Sequence, residues 1–322
     1  MLGTLVDGLL DRSVVFDFDR TGFLRHRARF RADDLDVDLG GRLCLVTGAT
    51  SGLGYVTARE LARRGAETWL LVRSAARGRE AAAAIHRETG ARGVHVAPLD
   101  VSSLASVRAF AGRFPGERVD VLVNNAGVLP ATYQVTDDGL ELTLATNLVG
   151  PFLLTTLLVP RLARSDDARV VTVSSGGMYT QRLDVSRLHP DPAAAFDGVS
   201  AYARTKRAEV VLSELWAERY HNLPVTWSSM HPGWADTPGV QTSLPLFRAL
   251  TRPILRTPDE GADTIVWLAV CRRLRGLSGR FWFDREPRDT HRVTSTRETA
   301  EERAGLWTAL VKWAGLSPED VP

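Results

Sequence analysis

The chain has 322 residues, 44% of them hydrophobic and 24% charged, with a net charge of +2, which indicates a globular protein with a sizeable core. No cluster of lysine and arginine interleaved with aromatic residues favours nucleic-acid binding, and no apolar stretch reaches the roughly 18 residues of a membrane helix. The two cysteines, Cys44 and Cys271, predict core thiols in the reducing cytoplasm, with no disulfide and no metal site.

Residues 1–40 form a predicted N-terminal extension ahead of the first strand. Its start lacks a basic segment followed by a compact apolar core, so it is not a convincing secretory signal. Apolar residues recur there at near-helical spacing: Leu2, Leu5, Val6, Leu9, Leu10, Val14, Val15 and Phe16. Such a segment either docks on the body of the protein or rests on a membrane surface, and the sequence leaves both readings open.

The first strand of the predicted domain runs directly into a glycine-rich turn. Residues 43–46 are apolar, three glycines follow between Thr47 and Gly54, and a helical pattern continues to residue 64. Unpaired backbone N–H groups and the positive end of the helix dipole then point at one place, which suits a pyrophosphate. An ordinary strand–helix turn is the alternative for this motif taken alone.

Strand and helix patterns then alternate along the chain. Strands are predicted at 67–72, 94–99, 119–123, 169–173, 225–230 and 279–283, and helices at 75–89, 104–114, 137–164, 200–220 and 258–273. This alternation predicts an α/β, Rossmann-type doubly wound parallel sheet of about seven strands with helices on both faces. We expect one dinucleotide-binding and catalytic domain over residues 41–290 and a helical C-terminal extension over 291–322.

Two connections in this domain are longer than usual. They cover residues 176–199 and 234–257 and follow the fifth and sixth predicted strands. Ligands of such sheets bind outside the carboxyl ends of the strands, so both segments are candidate lid loops. Their apolar content favours a lipophilic substrate, with packing on the body as the alternative.

A tyrosine and a lysine share one face of the helix predicted at 200–220. Tyr202 and Lys206 are four residues apart, and Lys206 is one of only two lysines in the chain. A free tyrosine, with a pKa of about 10, exchanges protons poorly at neutral pH, and an adjacent ammonium stabilises its phenolate. The pair therefore predicts a proton donor or acceptor, although the same spacing is common by chance.

Other polar residues follow the predicted strands in the order expected for one crevice. Ser174 and Ser175 end the fifth strand, Asn147 stands among apolar residues of the long helix, and further polar residues and glycines occur at 124–127 and 231–237. A hydroxyl at 174 or 175 could bind a substrate oxygen. These sets all map to the carboxyl edge of the sheet.

The combined motifs resemble those of the short-chain dehydrogenase/reductase family, in its conventional branch. The matches are T-G-x-x-x-G-x-G at 47–54, N-N-A-G at 124–127, Asn147, S-S at 174–175, Y-x-x-x-K at 202–206 and P-G at 232–233. The runs at 173–178 and 228–240, and G-R-F at 279–281 with D-R at 284–285, are similar to the member-12 subgroup and its bacterial relatives. That resemblance brings no substrate with it.

The resemblance implies a role for each matching catalytic residue. Tyr202 would be the general acid/base, and Lys206 would promote its ionisation and bind the nicotinamide ribose. Ser175, preferred to Ser174 by its place in the motif, would orient the substrate oxygen. Asn147 would hold a water for proton relay. Tyr179 is a second phenol nearby, for which packing is the expected role.

The same reasoning predicts the cofactor and its contacts. Strand two ends at Arg73 with no acidic residue there, which favours NADP(H) over NAD(H), unless Arg73 is merely one of many surface arginines. The predicted cofactor-binding residues are Thr47, Gly48, Ser51, Gly52, Leu53, Gly54, Arg73, Asp100, Val101, Asn124, Ala126, Gly127, Tyr202, Lys206, Pro232, Gly233 and Thr237.

The sequence thus predicts an NADP(H)-dependent oxidoreductase acting on an alcohol, ketone or aldehyde that is apolar, in a monomer or homodimer. The alternatives are a non-catalytic dinucleotide-binding scaffold or redox sensor and, within the fold, an isomerase or epimerase. The presence of all four predicted catalytic residues, Asn147, Ser175, Tyr202 and Lys206, argues against a non-catalytic scaffold or sensor. The conventional glycine spacing argues against an isomerase or epimerase.

Overall fold

The computed structural model describes residues 14–191, 195–243 and 245–321. Within these residues the strands are β1 Leu43–Thr47, β2 Glu67–Val72, β3 Val94–Pro98, β4 Val121–Asn124, β5 Ala168–Val173, β6 Val225–Met230, β7 Arg280–Phe283 and β8 Glu286–Pro287. They form a single sheet in the order β3-β2-β1-β4-β5-β6-β7-β8. The predicted Rossmann-type architecture is confirmed.

The sheet has eight strands in the described part of the chain, one more than predicted. β8 pairs with β7 in the antiparallel sense, whereas the other pairs are parallel. Asp284 and Arg285 join these two strands with φ angles of 48° and 60°, the left-handed conformation that a tight hairpin turn requires. Two residues, one of them Pro287, carry no periodic pattern, which is why the sequence did not reveal this strand.

Helices cover both faces of the sheet. They are α1 Val14–Phe18, α2 Arg20–Arg27, α3 Gly52–Arg63, α4 Ala75–Thr89, α5 Leu104–Arg113, α6 Leu142–Leu162, α7 Gly198–Arg219, α8 Pro238–Ser243, α9 Pro245–Thr251, α10 Pro258–Val270 and α11 Ala300–Trp313. Apolar residues of α3, α4 and α10 build the core on one face of the sheet. Those of α5, α6, α7 and α11 build the core on the other face.

The chain changes direction across the sheet between β1 and β4. β1 lies between β2 and β4, so the connections that leave β1 and β4 pass to opposite faces. A crevice opens at such a switch point outside the carboxyl ends of the strands. The glycine turn after β1 and the loop after β4 border it.

Helix α6 differs from its predicted bounds of 137–164 and is not regular. It begins at Leu142 because the buried carboxylate of Glu141 caps it, accepting hydrogen bonds from the N–H groups of Thr143 and Leu144. Its second turn, Ala145–Val149, is a π-helix. Contrary to the sequence expectation, α6 is long and apolar enough to cross a membrane; 83% of its apolar window is buried, as in a core helix.

The described part of the N-terminal extension docks on the body of the protein. Phe18 and Phe23 are 3% exposed, and the Phe18 carbonyl accepts a 2.8 Å hydrogen bond from the N–H of Trp234. The predicted apolar pattern at Leu2, Leu5, Val6, Leu9 and Leu10 lies outside the described residues. Docking therefore accounts for Phe18 and Phe23, whereas Phe16 is 49% exposed.

Candidate active site

The hydroxyl of Thr47 joins the glycine turn to the loop after β4. It accepts hydrogen bonds from the backbone N–H groups of Asn125 and Ala126, at 2.9 and 3.0 Å. It donates to the Val123 carbonyl at 3.2 Å, and the Asn125 amide donates to the Thr47 carbonyl at 2.8 Å. These bonds fix the relative position of the two loops at the switch point.

Close packing explains the glycines in this turn. Gly48 and Gly52 have φ angles of 67° and 57°, a conformation that side chains strongly disfavour. At Gly54 a Cβ would stand 2.6 Å from the Gly48 carbonyl oxygen and would overlap the Asn125 amide. The turn therefore keeps helix α3 close to β1 and leaves open backbone at the amino end of α3.

The amino end of α3 faces the loop after β6. Ser51 precedes the helix, and its hydroxyl makes no capping bond to the backbone of α3. A Cβ on Gly52 would lie 3.5 Å from the Cβ of Thr237, so these two predicted cofactor residues are neighbours. Leu53 instead packs against the apolar core. The free N–H groups and the Ser51 hydroxyl suit a phosphate.

Two predicted contacts of the adenosine half lie at adjacent strand ends. β2 and β3 end side by side, and the Leu99 N–H donates to the Val72 carbonyl at 2.9 Å. Arg73 is exposed directly after β2, and Asp100, which accepts from Ser102, is half-buried after β3. Val101 is buried, and a Cβ on Gly150 of α6 would overlap its carbonyl.

Some residues of the loop after β4 are buried in the core, and others line the candidate site. Asn124 is 4% exposed, and its amide donates to the Thr155 hydroxyl of α6 at 3.0 Å, so its side chain is tied into the core. Ala126 is held by Thr47, and Gly127 is exposed. A Cβ on Gly127 would lie 3.5 Å from both Asn147 Oδ1 and Lys206 Nζ.

Asn147 occupies the π-helical turn of α6. Its side-chain oxygen accepts from the Val128 N–H at 2.8 Å, and its amide donates to the Val128 carbonyl and the Thr205 hydroxyl, each at 3.1 Å. Thr205 in turn donates to the Tyr202 carbonyl at 2.8 Å. Asn147 thus joins the loop after β4 to helix α7, and single π-helical turns of this kind are frequent at functional sites.

Helix α7 brings Tyr202 and Lys206 together. The Lys206 ammonium nitrogen lies 5.4 Å from the centre of the Tyr202 ring, and Tyr202 is partly exposed. The ammonium is buried and donates to the Val173 carbonyl at 2.9 Å and to Glu209 Oε1 at 2.8 Å. The predicted pair therefore stands at the carboxyl end of β5.

The two serines after β5 have different partners. Ser174 is buried, and its hydroxyl donates to the Lys206 carbonyl at 2.7 Å, which holds α7 against the sheet. The half-buried Ser175 hydroxyl accepts from the Gly177 N–H at 3.2 Å. The proton of Ser175 therefore stays available, and Ser175 rather than Ser174 is free to bind a substrate oxygen.

The loop after β6 is held by a buried arginine. Gly233 has a φ of 72°, and a Cβ there would overlap the Arg256 guanidinium. Arg256 forms a bidentate ion pair with Asp284 at 2.6 and 2.9 Å and also bonds the carbonyls of Asp17 and Asp19. Burial raises the pKa of Asp284, but Arg256 and His26 outweigh it, so the pKa lies below its usual value.

The Phe18 ring packs against residues of both candidate lid loops. A Cβ on Gly176, the residue after Ser175, would lie 2.6 Å from the Phe18 ring. The Phe18 ring also contacts His231 and Trp234, with ring centres 4.3 and 6.3 Å apart. Burial, and next the Arg256 charge, hold the pKa of His231 well below its usual value. His231 is therefore neutral at physiological pH.

The electrostatic centre of the site is the buried pair of Lys206 and Glu209. Burial alone would lower the pKa of Lys206, but the Glu209 carboxylate and the Tyr202 phenol raise it above its usual value. Burial raises the pKa of Glu209 to about 7, although Lys206 opposes this shift. The ammonium therefore stays protonated beside Tyr202.

Sequence reasoning missed three residues of this arrangement. Asn125 links the two loops at the switch point, and Glu209 pairs with Lys206. Phe18 packs against residues of both candidate lid loops. Glu209 had a signal in the sequence, because an acidic residue three positions after a lysine on an otherwise apolar helix face can reach it. Phe18 had none, since its neighbours are more than 150 positions away.

The sequence profile described as short chain dehydrogenase matches residues 42–185. Dehydrogenase/reductase SDR family member 12 from Homo sapiens is 40% identical over 303 residues, which cover 91% of this chain and 95% of that protein. The chain belongs to the short-chain dehydrogenase/reductase family. The predicted resemblance to the member-12 subgroup is confirmed.

Further relatives agree with this membership. Retinol dehydrogenase 12 from Bos taurus is 37% identical over 285 residues, covering 87% of this chain and 89% of that protein. A solved short chain dehydrogenase from Escherichia coli, complexed with NADPH, is 25% identical with a TM-score of 0.63, covering 80% of this chain and 100% of that one. As a short-chain dehydrogenase/reductase, this protein is a nicotinamide-dinucleotide-dependent oxidoreductase of CH–OH and C=O groups.

Proposed function

We propose that this protein transfers a hydride between NADP(H) and an apolar alcohol or carbonyl compound, with Tyr202 as the general acid/base. The observation that carries the proposal is the meeting of Gly127, Asn147 and Lys206 beside Tyr202, where a Cβ on Gly127 would be 3.5 Å from two of them. A cation, an amide and a phenol there lie close to the glycine turn of a dinucleotide-binding crevice.

The residues present fit a dinucleotide. The turn at Gly48 and Gly52 leaves unobstructed backbone, and Ser51 with the first N–H groups of α3 suits the pyrophosphate. Exposed Arg73 after β2, where an NAD-binding unit carries an acidic residue, supports binding of the 2′-phosphate of NADP(H). The solved bacterial relative holds NADPH.

The chain's own residues manage position and protons. The cofactor supplies the hydride chemistry when bound. The Lys206 cation lies 5.4 Å from the centre of the Tyr202 ring, and the proton of the Ser175 hydroxyl can be donated to the substrate oxygen. Asn147 ties the loop after β4 to α7 and so keeps Tyr202 in place.

The segment after β6 supports an apolar substrate. In α9, Leu246 and Leu250 are 73% and 77% exposed, four residues apart on one face, and Phe247 packs edge-to-face on Trp234 with ring centres 5.2 Å apart. Exposed leucines on a short helix beside a site favour an apolar ligand. The relative named retinol dehydrogenase 12 is consistent with this class.

The decisive test compares two tyrosines. NADPH oxidation should be followed with short- and long-chain aldehydes and ketones, and long-chain compounds should be preferred. Tyr202→Phe should abolish turnover while NADPH affinity changes by less than a few fold. Tyr179→Phe is the control, because the Tyr179 hydroxyl bonds the Asp289 carbonyl and burial raises its pKa to about 12. Turnover retained by Tyr202→Phe contradicts the mechanism.

A second comparison tests the cofactor. Arg73→Asp should shift the preference from NADPH toward NADH. Arg87→Asp, at an exposed position in the last turn of α4, is the control that adds the same charge elsewhere. An unchanged ratio of NADPH to NADH activity in Arg73→Asp would refute the assignment.

The same assays separate the alternatives. A scaffold or redox sensor binds NADP(H) but turns over no substrate, and Tyr202→Phe then leaves its properties unchanged. An isomerase or epimerase converts substrate without net change in NADPH. A cytoplasmic location stays a prediction that rests on the two buried cysteines.

A further inference from the structure

We propose that Glu209 is a positioning residue for the Lys206 ammonium, whose charge it balances and whose third N–H it leaves free for the Tyr202 side of the site. The inference rests on the proposed function, since it assigns Lys206 a part in the proton chemistry of Tyr202. Glu209 does not itself contact substrate or cofactor in this assignment.

The geometry makes Glu209 a fixed partner of Lys206. Both side chains are 4% exposed, and Glu209 Oε1 lies 2.8 Å from Lys206 Nζ. The two residues are three positions apart on α7, so they lie one above the other on the same face of the helix. No rearrangement of the backbone is needed to keep them in contact.

The hydrogen bonds of the ammonium leave one direction open. An ammonium group has three N–H donors. Lys206 uses one for Glu209 and one for the Val173 carbonyl at 2.9 Å. The remaining donor is available toward Tyr202 and the space beside Gly127, where the ribose of a dinucleotide would be bound. Glu209 and the Val173 carbonyl therefore orient the Lys206 ammonium group so that its third N–H is directed toward Tyr202.

Charge balance gives Glu209 a second effect. A buried ammonium without a counter-charge loses its proton more easily than one in water. Burial lowers the pKa of Lys206, but Glu209, as the larger of the two opposing groups, and Tyr202 together raise it above its usual value. Glu209 Oε1 is held by Lys206, and Glu209 Oε2 has no hydrogen-bond partner within the described residues.

The other groups packed around this pair are neutral or engaged elsewhere. From β5 come the Val173 carbonyl and the Ser174 hydroxyl, and from α6 comes the Asn147 amide. The charged neighbours on α7 and α11 have other partners: Arg207 bonds the carbonyls of Gln181 and Thr290, and Arg303 pairs with Glu214 and Glu218. Tyr202 is thus the titratable group that shares Lys206 with Glu209.

The lysine content of the chain allows a direct test. Lys206 and Lys312 are its only lysines, and Lys312 is exposed, so selective isotope labelling of lysine gives two side-chain NMR signals in the full-length protein. Lys312→Arg assigns them. We expect Lys206 in the wild type to lose its proton at higher pH than a free lysine side chain, and Glu209→Gln, which keeps the shape, to lower that pH by about one unit or more.

A pH profile separates positioning from a merely structural ion pair. In Glu209→Gln, the alkaline decline of kcat/KM should begin at lower pH by about the same amount, because Lys206 loses its charge earlier. Glu214→Gln is the matched control. It removes a carboxylate from the same helix, five positions further on and paired with Arg303, and should leave the profile unchanged.

The outcomes distinguish this inference from the proposed function. A wild-type Lys206 that loses its proton at lower pH than a free lysine side chain overturns the inference even if Glu209→Gln fails to fold. So does a Lys206 titration, or an alkaline decline of kcat/KM, that Glu209→Gln leaves unchanged. A protein without turnover that still shows the shifted Lys206 titration refutes the proposed function and keeps the charge-balancing role. Shifts in both measurements support the inference.

Discussion

The N–H of Trp234 donates a 2.8 Å hydrogen bond to the carbonyl of Phe18, which ties the N-terminal segment to the loop after β6. The Phe18 ring also lies against Gly176, one residue after Ser175. Residues that precede the dinucleotide-binding unit therefore support the loops after β5 and β6, which we propose to contact the substrate. We expect the extension to influence substrate binding more than cofactor binding.

Phe18→Ala tests this expectation. Phe18 is 3% exposed, so its truncation should lower the free energy of unfolding by about 3–5 kcal/mol. Because the lost ring supports the loops after β5 and β6, KM for the carbonyl substrate should rise while the dissociation constant of NADPH stays close to wild type. Urea unfolding, steady-state kinetics and NADPH fluorescence titration measure the three quantities.

Phe16→Ala is the matched control. Phe16 lies on the same short helix but is 49% exposed, so its removal should change the free energy of unfolding by no more than about 0.5 kcal/mol. A rise in NADPH dissociation constant as large as the rise in KM for Phe18→Ala would contradict the separation between the two halves of the site.

Gly54→Ala should disturb the cofactor half instead. The new Cβ would stand 2.6 Å from the Gly48 carbonyl, a backbone atom that cannot rotate away. Overpacking of this kind costs about 1–3 kcal/mol. Because the proposed pyrophosphate site consists of N–H groups of α3 and the turn, we expect NADPH affinity to fall about tenfold, equivalent to roughly 1.4 kcal/mol. Fluorescence titration measures it.

Gly305→Ala controls for the change of residue type. Gly305 lies in α11, where a Cβ would have no neighbour within 4 Å. The substitution should leave NADPH affinity unchanged and raise stability by about 0.4–1 kcal/mol, since alanine restricts the unfolded chain. Wild-type NADPH affinity in Gly54→Ala would show that the turn does not hold the cofactor.

The parts of the fold that the sequence predicted are those with local signals. β1 to β7 and the main helices fall within a few residues of their predicted bounds because apolar periodicity and caps act over short distances. Helix α6 was predicted to begin at 137 but begins at Leu142, where the Glu141 carboxylate caps it. That cap was readable, whereas the π-helical turn at 145–149 follows from tertiary contacts of Asn147 and Gly150.

The features that could not be predicted from the sequence depend on contacts between residues that are far apart in the chain. Arg256 binds Asp284 and carbonyls near residue 18, so its role could not be read from its own neighbours in the chain. Asn124 stands in a motif of the cofactor loop, yet its side chain bonds Thr155 in the core, while Asn125 holds the turn. A motif identifies the loop but does not say which side chain faces inward.

Asp284→Asn tests the buried network under the substrate loops. The change would leave Arg256, 1% exposed, without a counter-charge, and removal of one partner of a buried pair costs about 3–5 kcal/mol. The pKa of Asp284 is below its usual value, so its contribution is present above about pH 4 and is lost as the pH falls further. The difference from wild type in urea unfolding should therefore shrink in acid.

Asp236→Asn is the control for a paired aspartate nearer the surface. Asp236 binds Arg248 at 2.7 and 3.1 Å, but about a quarter of each side chain is exposed. Surface pairs contribute little, so this variant should unfold close to wild type. Equal losses in both variants would mean that burial does not distinguish the two pairs.

Glu209→Gln should also change how stability depends on pH. Burial raises the pKa of Glu209 to about 7, so between about pH 4.5 and 7 the folded wild type holds a proton that the unfolded chain releases. The free energy of unfolding of the wild type should fall across this interval through Glu209, and glutamine removes that dependence.

The measurement is a series of urea unfolding curves for both proteins from pH 4 to pH 8. The stability of Glu209→Gln relative to wild type should increase by roughly 1–3 kcal/mol as the pH rises through this interval, because only the unfolded wild type gains free energy by releasing the proton of residue 209. Lys206 is protonated throughout this range, so its own titration does not contribute to the change. A difference that does not vary with pH would mean that Glu209 is already ionised in the folded protein at pH 4.5, with Lys206 outweighing burial.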